Sequence, residues 1–388
     1  MRRALFTALV FASASAHSQT RREPAYVWAA ASESGVRVAA SALTDGETDL
    51  QRACGVSEEG LRHVAQRLVA RKSLDLPYLD LDGLGFAQRA NGEPHVWPRA
   101  WVVSGRAMDH ESTVRRITQW RASFHDVGER RCGVASGWTA DGTQIVAAIA
   151  LDATADLVTP LPTRARVGAW LRLDAKMLVP ATGAHVVLVG PSGEPHTITS
   201  SFDGAMVRAR FAPDRAGAFT VQVVADVATG PRPVLEARVF ADVDPPTQMP
   251  NLAAPGEAAS AGVTDERAAL AAMIEALRSA RGVRALVRDA RLDAVAAAHA
   301  ARMKAAHTVG HDVGDGDPAE RLQNANIPAR EAGENVAHAQ TVVLAHRALW
   351  ESPSHRANLE HASYDSFGVA VVDDPDGSVW VAEVFARR

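Results

Sequence analysis

Three short polar motifs in the last third of the chain constrain its fold more than any other feature of the sequence. Each surrounds one side chain suited to acid–base or metal chemistry: Gly310-His311-Asp312, Gly333-Glu334-Asn335-Val336 and Ser352-Pro353-Ser354-His355-Arg356. Two imidazoles and a carboxylate are costly to bury unless they pair with each other, with water or with an ion. We therefore expect His311, Glu334 and His355 to converge in one cleft.

These motifs resemble, in the same order, segments of the CAP superfamily (cysteine-rich secretory, antigen 5 and pathogenesis-related proteins) in its bacterial, SCP-like extracellular form. Smaller matching pieces extend the resemblance over about residues 266–388: Leu292-x-x-Val295-Ala296-x-x-His299, Arg321 and Gly368-Val369-Ala370. The resemblance implies that residues 264–388 form a CAP domain, folded as an α-β-α sandwich.

In that family a cleft holds two histidines and up to two acids, and some members bind a divalent metal ion there. By motif match, the resemblance assigns His311, Glu334 and His355 to the cleft. The same three residues are the candidate metal ligands, since two imidazoles and a carboxylate suit zinc or another borderline ion, with water in the open position. No cofactor beyond one such ion is indicated.

The fourth position of the cleft has no clear occupant. Animal relatives place a glutamate where this chain has Pro353; Glu351 does not match the position, and Ser352 would supply only a neutral contact. His299 lies on the apolar stripe of a predicted helix and is expected to be a packed core residue. Three further histidines match no motif and are expected to be solvated: His338, His346 and His361.

The first residues of the chain are typical of a signal peptide. Arg2 and Arg3 precede a short apolar run, and Ala14-Ser15-Ala16 offers a cleavage site. The run is too short to span a bilayer, and no other apolar run approaches that length. We expect residues 1–16 to be a signal peptide, no membrane span, and a secreted or periplasmic protein.

The net charge and the cysteine content limit which binding partners and which cellular compartment are expected for the protein. A net charge of −4 and a pI near 6.4 argue against a nucleic-acid partner, which would need a basic face. The chain has 2 cysteines, Cys54 and Cys132. In an exported chain such a pair predicts one disulfide bond, although two buried thiols would be the alternative.

The middle of the chain alternates apolar and polar residues between turn sequences. We expect residues 164–242 to form an immunoglobulin-like β-sandwich, without the cysteine pair of true immunoglobulin domains. The apolar positions of four predicted strands are Leu171 and Leu173; Val207, Ala209 and Phe211; Val221, Val223 and Ala225; Leu235, Ala237 and Val239. Residues 243–263, rich in Pro, Ala, Gly and Ser, are predicted to be a linker.

Residues 45–152 repeat several anchors of the last domain, which indicates a degenerate CAP-like copy. Leu61-x-x-Val64-Ala65, Arg89, Trp120, His125 and Gly133-Val134-Ala135 follow the order of Leu292-x-x-Val295-Ala296, Arg321, Trp350, His355 and Gly368-Val369-Ala370. The equivalent of His311 would be Leu79 or Asp80, and that of Glu334 would lie within 102–104. The alternative is an unrelated α/β domain with coincidental anchors. The fold class expected for the whole chain is multidomain α+β.

These features support three hypotheses for function. The first is a secreted binding module whose cleft takes a peptide, glycan or lipid from the extracellular medium or the envelope. The second is a metal-assisted extracellular hydrolase, with Glu334 as ligand or general base. The third is a structural envelope protein. No serine or cysteine nucleophile motif accompanies the trio, so the sequence favours binding and leaves enzymatic activity open.

Overall fold

The computed structural model describes residues 25–31, 43–70, 81–124, 127–250 and 253–388. The predicted signal peptide, Leu79, Asp80 and His125 lie outside these ranges. The described chain mixes helices with four β-sheets. In these ranges no helix combines the length and apolar character needed to cross a membrane.

The first region is a four-stranded sheet between helices. Its elements are α1 (Asp45–Cys54), β1 (Val56–Ser57), α2 (Glu59–Ala70), α3 (Leu81–Ala90), β2 (Arg99–Gly105), α4 (His110–Ala122), β3 (Glu129–Trp138) and β4 (Gln144–Ala153). The strands are ordered β1-β3-β4-β2. One apolar cluster joins α2 and α3 to one face of the sheet, and a second joins α1 and α4 to the other.

The predicted disulfide is present in this region. Cys54 at the end of α1 is bonded to Cys132 on β3, with the two Cα atoms 5.9 Å apart. Both cysteines are buried. The bond therefore ties a helix on one face to a central strand of the sheet.

The middle region consists of two sheets around one apolar core. Its strands are β5 (Ala155–Leu157), β6 (Arg164–Ala165), β7 (Leu171–Met177), β8 (Gly183–Val189), β9 (Pro195–Ile198), β10 (Ser200–Phe202), β11 (Met206–Phe211), β12 (Gly217–Val227) and β13 (Gly230–Ala241). The sheets are ordered β10-β11-β7-β5 and β6-β13-β12-β8-β9. All eleven apolar positions predicted from the alternation lie in the shared core. Since β5 also belongs to the region, it begins before the predicted residue 164.

The described part of the predicted linker packs against neighbouring helices. It contains a 3₁₀ helix, Glu257–Ser260. The carboxylate of Glu257 pairs with Arg347, and the carbonyl of Pro255 accepts a hydrogen bond from His346 at 3.0 Å. This segment therefore attaches to the last region and is not a free spacer within 253–263.

The last region is also a sheet between helices. Its elements are α5 (Glu266–Ala280), β14 (Val287–Arg288), α6 (Ala290–Ala306), α7 (Pro318–Asn324), β15 (Glu331–Ala339), α8 (Val342–Glu351), α9 (Pro353–Glu360), β16 (Ser366–Asp373) and β17 (Val379–Arg387). Successive strand residues face opposite sides: Val369 and Val381 pack towards α5 and α8, and Ala370 and Ala382 towards α6 and α7. This is the three-layer arrangement expected for a CAP domain.

The sheets of the first and last regions have the same construction. The last sheet is ordered β14-β16-β17-β15, and in both sheets a short parallel strand begins the order. Gly133 pairs with Ile149 as Gly368 pairs with Val384. At the next strand, Ile149 pairs with Ala100 where Val384 pairs with Glu334. The register thus puts Ala100, slightly before the predicted 102–104, in the place of Glu334.

The two central glycines make the same close contact. A Cβ on Gly133 would lie 1.9 Å from the backbone nitrogen of Arg62 on α2, and a Cβ on Gly368 would lie 2.2 Å from the carbonyl carbon of Leu292 on α6. Only glycine lets a helix approach the strand so closely. Both occurrences of Gly-Val-Ala therefore mark where a helix backbone rests on the sheet.

Candidate ligand cleft

His311 lies in the loop between α6 and α7, and the middle region holds this loop in place. The backbone N–H groups of His311 and Asp312 both donate to the carbonyl of Thr229, at 2.8 and 3.1 Å. Thr229 lies in the turn between β12 and β13, and Gly230 is the first residue of β13. A Cβ on Gly230 would lie 2.8 Å from the Cβ of His311, so a side chain there would displace the histidine.

Glu334, on β15, is held by several positive or polar groups. Its side chain is fully buried; Oε1 is 2.9 Å from His311 Nδ1, Oε2 pairs with Arg321, and His299 Nε2 lies 3.5 Å from Oε1. Burial alone would raise the pKa of Glu334. The hydrogen bond from His311 and the charges of His311, His299 and Arg321 outweigh it, so the pKa lies below its usual range. The side chain is therefore a carboxylate whose two oxygens already have partners.

His355, on α9, does not bond to Glu334. Its Nδ1 is 2.8 Å from Ser352 Oγ, and its backbone carbonyl accepts a hydrogen bond from Asn335, the neighbour of Glu334, at 3.2 Å. Burial and the nearby charge of His311 lower the pKa of His355 to about 3. The imidazole is therefore neutral at physiological pH. The structure brings the three predicted residues into one neighbourhood, but only His311 reaches Glu334 directly.

The donor set fits a divalent ion only in part. In both cleft histidines Nδ1 is engaged, and Nε2 has no hydrogen-bond partner within the described residues. This is how histidines that ligate metals are usually oriented, with the second nitrogen free for the ion. Glu334 bonds to Nδ1 of His311 and so orients the His311 ring, as the partner of a metal-ligating histidine would. Within the described ranges no three His, Cys, Asp or Glu side chains are arranged to hold a metal ion. A site with all three predicted ligands remains a prediction.

The neighbours of the trio were only partly predictable. His299 is buried and bonded to Asp315 and to the carbonyl of Gly310, at 2.9 Å each, which agrees with a packed core residue. Glu351 pairs at 3.0 Å with Arg238 of the middle region and does not enter the cleft. Ser352 supplies the neutral contact expected of it.

The expectation that His338, His346 and His361 are solvated was wrong for His346, and the other two are half-buried. His346 is buried, and its Nε2 is hydrogen-bonded to the carbonyl of Pro255. His338 stacks on Trp380, and His361 stacks on Tyr364. Each ring offers an apolar face that packs and a nitrogen that bonds, so the absence of a motif does not imply exposure.

Three residues near the cleft were missed by sequence reasoning. Glu383 on β17 is fully buried and accepts a hydrogen bond from Asn335 at 2.9 Å; burial raises its pKa to about 7. The sequence signal for Glu383 was its position as the one acid within the apolar run of β17, which indicates a buried carboxyl group. Trp97, from the first region, lies edge-on to His355 with ring centroids 6.4 Å apart. Gln222, from β12, contacts Ser352 at 3.1 Å. No sequence signal connects residues so far apart.

Comparison with known proteins supports the identity of the last region. Residues 271–384 match the model of the cysteine-rich secretory protein family, CAP. A search of curated proteins found no match.

Three similar solved structures come from bacteria. They include an outer surface protein of Borrelia burgdorferi, with 22% identity and a TM-score of 0.31 over 32% of this chain and 94% of that one. An extracellular protein containing an SCP domain from Bacillus anthracis has 17% identity and a TM-score of 0.30, over 56% and 82%. A cysteine-rich secretory protein of Staphylococcus aureus has 10% identity and a TM-score of 0.29, over 71% and 90%. Scores this low carry no functional argument. The family match and the motifs agree on the same residues, and the chain thus carries a CAP domain at 271–384.

Proposed function

We propose that the protein is an exported binding module whose CAP cleft, built around His311 and His355, takes a peptide, glycan or lipid. The observation that carries this proposal is the state of Glu334. Its oxygens are committed to Arg321 and His311, and its pKa lies below the usual range. A general base must be able to reach the proton that it removes and must have a pKa near the working pH. Glu334 is fully buried behind His311 and Arg321 and its pKa is lowered, so it serves to orient His311.

The alternative, a metal-assisted hydrolase, has less support. A bound divalent ion would supply an activated water. His311 and His355 would have to hold it through Nε2, and Glu334 would join only after leaving Arg321. His355, with its pKa lowered to about 3, is a weak base for removing a proton from water. The residues of this cleft are therefore better arranged for binding than for proton transfer.

The walls of the cleft also favour recognition. The turn at Thr229 and Gly230 lies against His311, and Trp97 lies against His355, so all three regions border the cleft. Trp97 has a φ of 63°, a left-handed conformation that a bulky residue before a proline rarely adopts. Strain of this kind persists only where surrounding contacts impose it. The ring is held by its Nε1–H bond to the carbonyl of Pro233 at 3.3 Å.

We further propose that residues 45–152 are a degenerate CAP copy and that residues 164–242 are an immunoglobulin-like spacer or adhesive module. The shared strand order, the shared register and the two glycine–helix contacts support the first proposal. Two sheets around one core support the second. With Ala100 in the place of Glu334, the first copy lacks the acid of the cleft and would bind no ligand in the same way.

Export is supported by the disulfide. Such bonds persist in oxidising compartments and are rare in the cytosol. The matching family model, that of the cysteine-rich secretory proteins, agrees with export. We therefore place the protein outside the cytoplasm, either secreted or periplasmic, with its ligand in the envelope or the medium.

The test is a binding screen with the purified full chain. Peptides, oligosaccharides and lipid vesicles would be titrated into the wild type, the His311→Ala/His355→Ala double variant and a matched control, His196→Ala, an exposed histidine on β9. Binding that the double variant loses and the control retains is the expected result. Turnover of a peptide, glycan or ester substrate that requires added metal, without prior stable binding, would favour the hydrolase instead.

A further inference from the structure

A chain of hydrogen bonds crosses all three regions and ends on His355. It begins at Arg89 of α3, whose Nε donates to Glu236 of β13 at 3.2 Å. Gln222, paired with Glu236 across β12 and β13, donates from Nε2 to the other carboxylate oxygen at 3.0 Å. Gln222 Nε2 also lies 3.1 Å from Ser352 Oγ, and Ser352 Oγ lies 2.8 Å from His355 Nδ1.

The orientation of the Gln222 amide is fixed by its partners. The backbone N–H of Ser354 lies 3.0 Å from Gln222 Oε1, so that atom must be the carbonyl oxygen. The nitrogen therefore faces the Glu236 carboxylate and Ser352, and its two hydrogens serve one each. Gln222 is almost completely buried. A flipped amide would place its oxygen against a carboxylate and leave the Ser354 N–H without an acceptor.

This orientation determines how Ser352 uses its hydroxyl group. One lone pair of Oγ accepts the Gln222 N–H. The hydroxyl hydrogen can then go to His355 Nδ1 at 2.8 Å or to Ser354 Oγ at the longer 3.5 Å. If Nδ1–H donated to Oγ instead, the hydroxyl hydrogen would have only the 3.5 Å contact with Ser354, which is a much weaker hydrogen bond. His355 Nδ1 is therefore an acceptor, and the proton of the neutral ring is on Nε2.

His311 has the opposite arrangement. Its Nδ1 faces the carboxylate of Glu334, which can only accept, so Nδ1 carries the hydrogen. In the neutral ring Nε2 then has a free lone pair. When both rings are neutral, the cleft thus offers one imidazole N–H, from His355, and one imidazole lone pair, from His311. A metal ion needs two lone pairs, whereas a peptide amide or a sugar hydroxyl can serve both a donor and an acceptor.

We propose that Gln222 is a positioning residue for the cleft: acting through Ser352, it fixes His355 as a hydrogen-bond donor, which selects a neutral amide- or hydroxyl-bearing ligand over a divalent metal ion. This inference rests on the proposed function and deepens it. Binding of an ion to His355 Nε2 requires the ring proton to move to Nδ1 and the Ser352 hydroxyl to reverse. The middle region therefore sets the chemistry of a site in the last region.

The test exchanges two paired residues, as Gln222→Glu/Glu236→Gln in the full chain. Composition and net charge do not change, and the new glutamine can still bond to the new carboxylate. That carboxylate cannot donate, so it would accept the Ser352 hydroxyl hydrogen. Ser352 would then accept from His355 Nδ1–H and leave Nε2 bare. The matched control is Glu236→Gln alone, which keeps the donating amide at position 222.

Imidazole ¹⁵N chemical shifts distinguish the two tautomers without any ligand. The protein has 14 histidines, so the His355 signal would be identified by its loss in His355→Gln. We expect an Nε2–H tautomer in the wild type and control and an Nδ1–H tautomer in the exchange variant. Reversing one hydrogen bond is worth about tenfold in affinity. Ni²⁺, used alone as the probe, should therefore bind the exchange variant about tenfold more tightly than the wild type.

Two results would overturn the proposal. An Nδ1–H tautomer of His355 in the wild type would refute it even if the exchange variant did not fold. An unchanged tautomer in a folded exchange variant would refute the role of Gln222. Neither result depends on the peptide, glycan or lipid screen, so a failure of the proposed function would be seen separately.

Discussion

His95 is expected to make the stability of the protein fall as the pH rises above neutrality. This buried histidine joins the first region to the middle one. Its Nδ1 pairs with Glu93, and its Nε2 lies 2.9 Å from Asp156 on β5. Arg131 binds both oxygens of Asp156, at 2.7 and 2.8 Å, and lies 3.6 Å from Glu58.

The magnitude follows from the pKa of His95. Burial alone would lower it, but the charge of Glu93 and the hydrogen bonds to Asp156 and Glu93 raise it to about 9, above the ordinary 6.5. Between these values the folded protein keeps a proton that the unfolded chain releases. The stabilisation is therefore complete below about pH 6.5 and is lost as the pH rises through about 9. A shift of this size corresponds to roughly 3 kcal/mol.

Denaturant unfolding of the full chain between pH 6 and pH 10 would measure this effect. His95→Gln should be less stable than the wild type by about 3 kcal/mol at pH 6, and the difference should disappear by pH 10. His110→Gln, which removes an exposed histidine paired with Asp49, is the control and should show no such trend. Burial and the charge of Glu93 also raise the pKa of Glu58, to about 8, which adds a fall in stability between pH 4.5 and 8. A difference between wild type and His95→Gln that is the same at every pH would refute the reasoning.

Arg321→Met should destabilise the CAP domain by about 3–5 kcal/mol, because it leaves a buried carboxylate without its cation; an unchanged denaturant midpoint would contradict this. Loss of the Cys54–Cys132 bond should destabilise the first region by about 4 kcal/mol, and peptide mapping of unreduced protein should recover the linked pair. Gly368→Ala should cost more than the roughly 1–3 kcal/mol usual for overpacking, since its Cβ would lie 2.2 Å from the α6 backbone. Gly85→Ala, a helical glycine with open space around it, is the control and should cost nothing in thermal unfolding.

Local patterns in the sequence predicted much of the architecture. The alternation in residues 171–239 places side chains on one face of a strand, and that face is buried in the shared core. The apolar residues from Leu292 to Met303 recur at the spacing of a helix turn, and the helix face that they form is buried as well. These patterns predict burial correctly because the apolar face of a helix or strand is determined by residues that are close together in the sequence.

The candidate site was predictable only as a set of residues. Motif order brought His311, Glu334 and His355 together, but their roles depend on what each side chain contacts. Arg321 neutralises Glu334, and Ser352 engages His355. Hydrogen-bond direction is set by the whole network, and a motif does not encode it. The contacts of Gln222 with Ser352 and of Trp97 with His355 depend on how the regions pack, which no local pattern records.

The duplication proposed above explains the contact between the first and middle regions at Arg89 and Glu236. Arg321 donates to the carbonyl of His311 and neutralises Glu334. Arg89, its proposed counterpart, likewise donates to backbone carbonyls, those of Glu93 and His95, but its carboxylate partner is Glu236 of the middle region.

With Ala100 in the place of the cleft acid, the first copy has no internal carboxylate at that position, and a buried arginine needs one. Glu236 meets this need from outside and at the same time accepts the hydrogen bond of Gln222. On the proposed duplication, loss of the acid in one copy freed Arg89 to bind Glu236, the partner of the Gln222 that is proposed to orient His355 in the other. The first region would then influence the cleft through the contact between Arg89 and Glu236. Restoring an acid with Ala100→Glu should draw Arg89 away from Glu236 and weaken the contact between the first and middle regions.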